Sequence, residues 1–214
     1  MLRVALLALL VTACASPSRE PRYVVLTSNA YMCGAADGLG CGLAIAPKLA
    51  EIDRLDGVAS SGVSWDGRLF RIELAPGADG ERVAAAVDAV LEGEACCVTP
   101  ALGNAAAPEP DTWYDARRIV ELSRHEAGVI AAWFAEEVAA EVALDATAAE
   151  KTHALIREHL ERAFERAHAV GGGVFRLREQ LPAGRADFAA RLEFLPLELR
   201  ARVLAVVDRQ LEQI

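Results

Sequence analysis

The order of hydrophobic patterns between Arg22 and Pro100 constrains the fold of this 214-residue chain more than any other feature. Runs rich in β-branched and aromatic residues predict four strands, and apolar residues at helical spacing predict two helices. The predicted strands are Tyr23–Leu26, Val58–Trp65, Leu69–Leu74 and Ala95–Thr99, and the predicted helices carry Ile45–Leu55 and Val83–Leu91. The resulting order is β-α-β-β-α-β, so residues 22–99 are predicted to fold as one small α+β domain.

Turn and capping residues set the predicted ends of these elements. Pro47 suits the first turn of the first helix, and Gly57 suits its C-terminal cap. Asp66-Gly67 is a two-residue link typical of a β-hairpin. Asp79 is the predicted N-cap of the second helix.

The cysteine-bearing loop adds a motif to this order, which is that of the ferredoxin-like fold. Met32-Cys33 follows the first strand, Cys41 precedes the first helix, and Leu55-Asp56-Gly57-Val58 leads into the second strand. These features resemble the heavy-metal-associated domains, whose pattern is Gly-Met-x-Cys-x-x-Cys, a helix and then Gly-Val. The resemblance implies a ferredoxin-like fold over residues 22–99 and a thiolate site for a soft metal. Seven residues separate Cys33 from Cys41 here, where the family has two.

The strand pairing of this fold predicts that all four thiols after the N-terminal region meet at one edge. The first strand, which Cys33 closes, lies antiparallel to the last strand, which Cys96 and Cys97 open. Cys41 enters the first helix at the same end. Because neighbouring residues of a strand point to opposite faces, we expect one of Cys96 and Cys97 to join the other two. The candidate metal ligands are Cys33, Cys41, Cys96 and Cys97.

Two chemical states of these cysteines are compatible with the sequence. An oxidising compartment and an even number of cysteines favour disulfides. Cys33 and Cys41 would then each pair with one of Cys96 and Cys97, or would bridge each other. In the second state the thiolates bind a soft metal ion, copper(I), mercury(II) or zinc(II).

The first residues of the chain have the pattern of export and membrane anchoring. Arg3 precedes the apolar run Val4–Val11, which is too short to span a bilayer as a stable helix. Val11-Thr12-Ala13-Cys14 then resembles the lipobox of bacterial lipoproteins. The resemblance implies a signal peptide at 1–13, cleavage before Cys14 and acyl chains on its sulfur, which would bind a membrane surface. An ordinary secretory signal is the alternative.

Residues 14–21 form the predicted lipidated tether. Ala15, and not Asp, follows the cysteine, so no retention in the inner membrane is signalled. The predicted location is therefore the bacterial cell envelope, on the periplasmic side and at the outer membrane.

The pattern becomes helical after Thr99. Residues 100–111 are rich in Ala and Pro and predict a linker. Residues 112–214 predict an all-α helical domain, so the whole chain is assigned to the α+β class.

Cap and breaker residues divide this predicted helical domain. Asp111 is predicted to cap its first helix, and Thr147–Glu150 to form a capping box. His125–Gly128 marks a predicted kink, and Gly171–Gly173 a predicted helix break. Pro196 is predicted to start the last helix.

Two short segments of the helical half resemble a periplasmic motif. Leu144-Asp145 and Leu195–Arg200 each precede a predicted helix. They resemble the repeated Leu-Thr-x-x-Gln motif of helical-hairpin stress chaperones and heavy-metal sensors of the envelope. The resemblance implies a protein partner for this half, whereas a generic helical bundle is the alternative.

Charge and residue spacing argue against several other functions. The formal net charge of −9 argues against nucleic acid, which needs clustered Lys and Arg. No two histidines have the i, i+4 spacing of a helical metal site, so we interpret all four as structural or surface residues: His125, His153, His159 and His168.

The remaining candidates for chemistry are interpreted as structural. The aromatic residues of the helical half predict core packing: Trp113, Tyr114, Trp133 and Phe134. The acidic residues of the same half predict solvated charge: Glu126, Glu136, Glu137 and Glu141. We recognise no nucleophile–base pair, phosphate loop or dinucleotide motif, so we do not predict an enzyme.

The sequence therefore predicts a membrane-anchored envelope lipoprotein that binds or senses a soft metal through a cysteine cluster. The alternative is a chaperone-like interaction lipoprotein, in which the cysteines form structural disulfides and the helical half binds a partner.

Overall fold

The structure, a computed structural model, describes residues 22–34, 38–92, 95–99 and 113–213. For 95–99, Val174 and Phe175 it describes the backbone alone. The predicted signal peptide, the tether that ends at Pro21 and the predicted linker at 100–111 lie outside the described residues.

An antiparallel sheet and its covering helices form the first part of the fold. The strands are β1 (Tyr23–Ser28), β2 (Val58–Ser64), β3 (Leu69–Leu74), β4 (Ala95–Thr99) and β5 (Trp113–Tyr114). They lie in the order β4-β1-β3-β2-β5, and each neighbouring pair is antiparallel. The helices α1 (Gly42–Ile52) and α2 (Gly80–Val90) connect β1 to β2 and β3 to β4. The predicted order of strands and helices in residues 22–99 is therefore the observed one.

One face of this sheet is buried because its strands alternate. In β1, Val24 and Leu26 are buried while Thr27 is exposed, as expected for a strand with one face on the core. Leu26 pairs with Phe70 of β3 across the sheet. Apolar residues of α1 and α2 belong to the same core: Ile45, Leu49, Ile52, Val83 and Val87. Removal of this apolar surface from water is the main force that holds the layer together.

Pro47 lies inside α1, so its predicted place in the first turn is wrong. The helix begins earlier, at Gly42. Proline has no N–H to donate to the carbonyl of Leu43, four residues before it. The amide of Gly173 donates to that carbonyl at 2.8 Å. The helix break predicted at Gly171–Gly173 is confirmed, since all three residues have positive φ, and this turn supplies the hydrogen bond that the proline cannot.

The other predicted element ends are partly confirmed. Asp79 caps α2, because its side chain accepts a hydrogen bond from the Glu81 amide at 3.0 Å. α1 ends at Ile52, so the predicted cap at Gly57 is wrong. Gly57 has φ +88, and a Cβ there would lie 2.9 Å from Val83 Cγ2. The absence of a side chain at Gly57 therefore allows the loop to lie close to α2.

The β2–β3 hairpin is present, but its link is longer than the predicted Asp66-Gly67 pair. β2 ends at Ser64 and β3 begins at Leu69. The Ser64 hydroxyl accepts a hydrogen bond from the Leu69 amide at 2.9 Å. This side-chain bond closes the wider turn in place of a strand hydrogen bond.

Helices form the second part of the fold. They are α3 (Ile119–Glu141), α4 (Ala146–Ala169), α5 (Val174–Gln180), α6 (Arg185–Arg191) and α7 (Leu197–Leu211), with 3-10 turns at Pro182–Gly184 and Leu192–Phe194. α3 packs against α4 and α7, and α4 packs against α5 and α6. Their shared core includes Phe134, Leu160, Phe164, Leu192 and Val203. α3 continues as one helix through His125–Gly128, where a kink was predicted. Pro196 precedes α7, as predicted.

The first predicted helix of this part starts too early in the sequence. Trp113–Tyr114 is strand β5, which pairs with β2, as suits two aromatic residues. Both side chains are buried, as predicted. The carboxylate of Asp115 accepts a hydrogen bond from the Arg117 amide at 2.9 Å and forms the turn before α3. Asp111, the predicted cap, lies outside the described residues.

The predicted capping box of α4 is wrong by two residues. Asp145 is the N-cap, and its side chain accepts a hydrogen bond from the Ala148 amide at 2.8 Å. Thr147 therefore lies inside the first turn.

The two predicted domains share their packing. Tyr114, Ile119 and Leu122 belong to the core beneath the sheet, and Leu43 of α1 belongs to the helical core. α1 also packs against α3, α4 and α5. The domain boundary predicted at 100–111 stays a prediction. The residues before this segment pack directly against the residues after it.

The two parts of the fold approach each other closely at Gly42. A Cβ at this position would overlap the Ser123 hydroxyl and lie 3.1 Å from the Ile119 carbonyl oxygen. Only glycine allows the start of α1 to lie this close to α3.

We therefore expect Gly42→Ala to lower the free energy of unfolding by roughly 1–3 kcal/mol, the usual cost of overpacking. Gly128→Ala is the matched control, since Gly128 is also helical and a Cβ there would meet only the Arg157 side chain, at 4.0 Å. In this control the free energy of unfolding should rise by up to about 1 kcal/mol, because alanine has the higher helix propensity. Denaturant unfolding of both variants measures the difference, and a similar gain in both would contradict the close contact.

Candidate thiol site

A short hairpin holds the backbones of Cys33 and Cys41. The Cys33 amide donates to the Leu39 carbonyl at 2.7 Å, and the Cys41 amide donates to the Tyr31 carbonyl at 2.8 Å. β1 ends at Ser28, so the predicted place of Cys33 at the end of that strand is wrong. The hairpin lies between β1 and α1, and its backbone hydrogen bonds fix both cysteines at the start of the helix.

Cys41 is the N-cap residue of α1. The amide groups of a helix N-terminus favour negative charge on a nearby cysteine sulfur. Burial acts most strongly on the Cys41 thiol and raises its pKa, while the Ala44 amide, in the first turn, acts in the opposite direction. A thiolate at this position therefore requires a cation to pair with it.

A carboxyl group from α3 is the third member of the site. Glu126 is only 3% exposed, and its Oε2 accepts a hydrogen bond from the Gly42 amide at 3.2 Å. The thiol groups of Cys33 and Cys41 lie within hydrogen-bonding reach of the same carboxyl group. Because a buried carboxylate is costly without donors, these contacts account for its place in the core.

The electrostatics of the site follow from this burial. Burial raises the pKa of Glu126 to about 7, while the hydrogen bonds of Cys33, Cys41 and Gly42 act in the opposite direction. Burial also raises the pKa of the Cys41 thiol, and the Glu126 charge adds to this effect. Without a cation, the Cys41 thiol is therefore protonated near neutral pH and serves as a hydrogen-bond donor to Glu126.

A cavity of about 650 Å³ lies against these groups. Cys33, Cys41 and Glu126 line it together with apolar residues of both parts of the fold: Leu43, Ala44, Ile130, Trp133, Phe164 and Leu177. Its size lies in the usual range of small-molecule sites, which are also mostly apolar with a few polar groups.

The predicted approach of Cys96 and Cys97 is not tested, because only their backbone is described. β4 lies beside β1, and Cys96 pairs with Thr27 in the ladder. The sulfurs of Cys33 and Cys41 are not bonded to each other. Within the described ranges, no group of three or more His, Cys, Asp or Glu is arranged to hold a metal ion. A site with a third or fourth thiol thus stays a prediction, and Cys14 lies outside the described residues.

The prediction that Glu126 is a solvated charge is wrong. Leu122, Glu126, Ile130 and Phe134 follow one another at i, i+4 spacing, and all four are buried. A charged residue in the middle of an apolar helical stripe is the signal that could have identified it. Glu136 and Glu141 are exposed and Glu137 is partly exposed, in agreement with the interpretation of these three residues.

The histidines have the structural or surface positions predicted for them. His159 is buried, and its ring stacks on Phe188 with centroids 5.3 Å apart. His168 Nε2 forms a hydrogen bond of 2.8 Å with the Ser123 hydroxyl. His125 is exposed and contacts the Trp65 ring. His153 is partly buried.

No protein family, curated protein or solved structure matches this chain. Among the residues with described positions, no helix has the length and apolarity needed to cross a membrane. The resemblances to lipoproteins, heavy-metal-associated domains and helical-hairpin proteins therefore stay predictions.

Proposed function

We propose that this chain is a lipid-anchored envelope protein that binds or senses a soft metal ion through Cys33 and Cys41. The observation that supports the proposal best is that Cys33 and Cys41 line the same cavity, at the N-terminus of α1. Two thiols on one hairpin, beside a helix N-terminus and a cavity, form a compact group of soft ligands. Thiolates select soft ions such as copper(I) over hard ions such as magnesium.

The number of thiols favours some soft ions over others. Zinc sites in proteins usually have four ligands, whereas copper(I) and mercury(II) accept two thiolates. Because Cys33 and Cys41 are the cysteines at the cavity among the side chains that the structure describes, we favour copper(I) or mercury(II). Cys96 and Cys97 are candidates for additional ligands.

Glu126 has a positioning role in this proposal. It lies on α3 and accepts the hydrogen bond of the Gly42 amide at the start of α1. By this contact it holds the hairpin and the helix start in one arrangement. Partners of this kind typically change metal affinity by a factor of 10–100.

We also propose a ferredoxin-like fold for residues 22–99. The order β4-β1-β3-β2, with α1 and α2 as the connections, supports it. β5 then extends the sheet beside β2. The competing proposal is a chaperone-like protein with structural disulfides, in which Cys33 and Cys41 pair with Cys96 and Cys97, and this pairing stays a prediction because only the backbone of Cys96 and Cys97 is described.

Metal binding can be measured by titration of the reduced, full-length protein with copper(I) or mercury(II) against a competing small thiol. We expect thiolate charge-transfer absorption, and we expect Cys33→Ser or Cys41→Ser to weaken binding by more than roughly a hundredfold. Glu126→Gln should cost roughly 10–100-fold, as for other groups that orient metal ligands.

Cys96→Ser and Cys97→Ser are the matched cysteine controls for this titration. A loss as large as that of Cys33→Ser in either control would move the site to β4. Full affinity in Cys33→Ser would exclude the proposed ligand pair.

The proposed anchor is tested separately at Cys14. The lipobox-like Val11–Cys14 segment supports lipidation, so Cys14→Ser should move the protein from the membrane fraction to the soluble fraction. Two acyl signals are generally needed for stable anchoring. A native protein that mass spectrometry finds without acyl chains would contradict this part of the proposal.

A further inference from the structure

We propose that the cargo of the Cys33–Cys41 site carries an apolar organic group: it is a monoorganic cation of a soft metal, of the organomercury(II) class. This inference rests on the proposed function, because it requires a thiol ligand of the same site. It adds that the neighbouring cavity binds the organic part of the cargo.

The cavity is much larger than a bare metal ion requires. Its volume is about 650 Å³, whereas an apolar cavity of about 150 Å³ is already enough to hold benzene. A two-coordinate ion between Cys33 and Cys41 would leave most of this space unfilled. The space is large enough for an organic substituent on the metal.

The composition of the cavity wall matches such a cargo. Leu43, Ile130, Phe164 and Leu177 are almost completely buried and apolar, and each lines the cavity. Trp133 adds an aromatic ring to the wall. Aromatic side chains prefer edge-to-face or offset contact with another ring, so the wall favours an aryl group.

The polar groups at the same cavity suit the metal end. Cys33 is buried, whereas Cys41 is partly exposed, so Cys41 is the thiol that an incoming cation reaches first. The Glu126 carboxyl group lies beside both sulfurs and adds hydrogen-bonding capacity but no competing positive charge. The described lining of the cavity contains no Lys or Arg, so it presents no positive side chain to a cation.

Capture is a ligand exchange that balances without a further reactant. An arylmercury chloride loses chloride, the Cys41 Sγ–H bond breaks, and an Sγ–Hg bond forms. The proton and the chloride are released to solvent, and the carbon–mercury bond stays intact. The oxidation state of mercury does not change.

The test compares phenylmercury, methylmercury and mercury(II) on the reduced full-length protein, each in competition with the same small thiol. Phenylmercury and methylmercury bind a thiolate through the same type of bond. If their affinities for the protein differ by more than their affinities for the small thiol, the additional difference reports on the cavity. We expect phenylmercury to be favoured over methylmercury by at least roughly tenfold, which is the lower range for an added apolar group in a fitted pocket.

Two variants connect this preference to the cavity. Ala44→Leu narrows the cavity at a partly exposed position of α1 and should lower the phenyl preference while mercury(II) binding is kept. Trp133→Ala should lower the preference without loss of mercury(II) binding. Val129→Ala is its control, because Val129 lies on the same helix, is 46% exposed and is not part of the cavity wall.

The possible outcomes separate this inference from the proposed function. If mercury(II) binds through Cys33 and Cys41 but phenylmercury and methylmercury bind equally well, the inference is wrong and the proposed function stands. The same conclusion follows if Ala44→Leu folds, binds mercury(II) and retains the phenyl preference. If mercury(II) does not bind through these thiols, both are wrong.

Discussion

The hydrogen bond from the Gly42 amide to the buried carboxyl group of Glu126 is the contact on which the rest of the site depends. It joins the first turn of α1 to the middle of α3 at 3.2 Å, and it requires the close approach that only glycine permits at this position. The same carboxyl group lies within reach of both thiols. A buried carboxyl group with three donors fixes geometry more than it adds stability, since its desolvation offsets much of the gain.

The site contains residues from both parts of the chain, because helices of the second part pack on α1. Pro47 leaves the Leu43 carbonyl without its helical partner, and the amide of Gly173, the residue before α5, satisfies it. Leu43 also belongs to the helical core and lines the cavity. The surface of α1 that faces away from the sheet is thus covered by helices, and the thiols lie where that cover begins.

The sequence predicted the parts of the fold that local patterns determine, and it identified two of the three residues of the candidate site, Cys33 and Cys41. The strands and helices of residues 22–99, the Asp79 cap and the break at Gly171–Gly173 are encoded by local patterns, and each is present in the structure. The place of Pro47 in α1 could not be predicted from local patterns, because its missing hydrogen bond is compensated by Gly173, a residue far away in the chain. The resemblance that identified Cys33 and Cys41 ends at Thr99, so it contains no information on Glu126, whose only signal was its place within an apolar stripe.

The central claim, that one buried carboxyl group serves both thiols, is tested most directly by NMR titration of the Glu126 carboxyl carbon in the reduced, metal-free protein. We expect a Glu126 pKa of about 7. We also expect a still higher pKa when Cys33 and Cys41 are both replaced by Ala, because their hydrogen bonds lower it. Glu126→Gln assigns the signal. A Glu126 pKa near the ordinary 4.5, or one that the loss of both thiols leaves unchanged, would contradict the shared role of this carboxyl group.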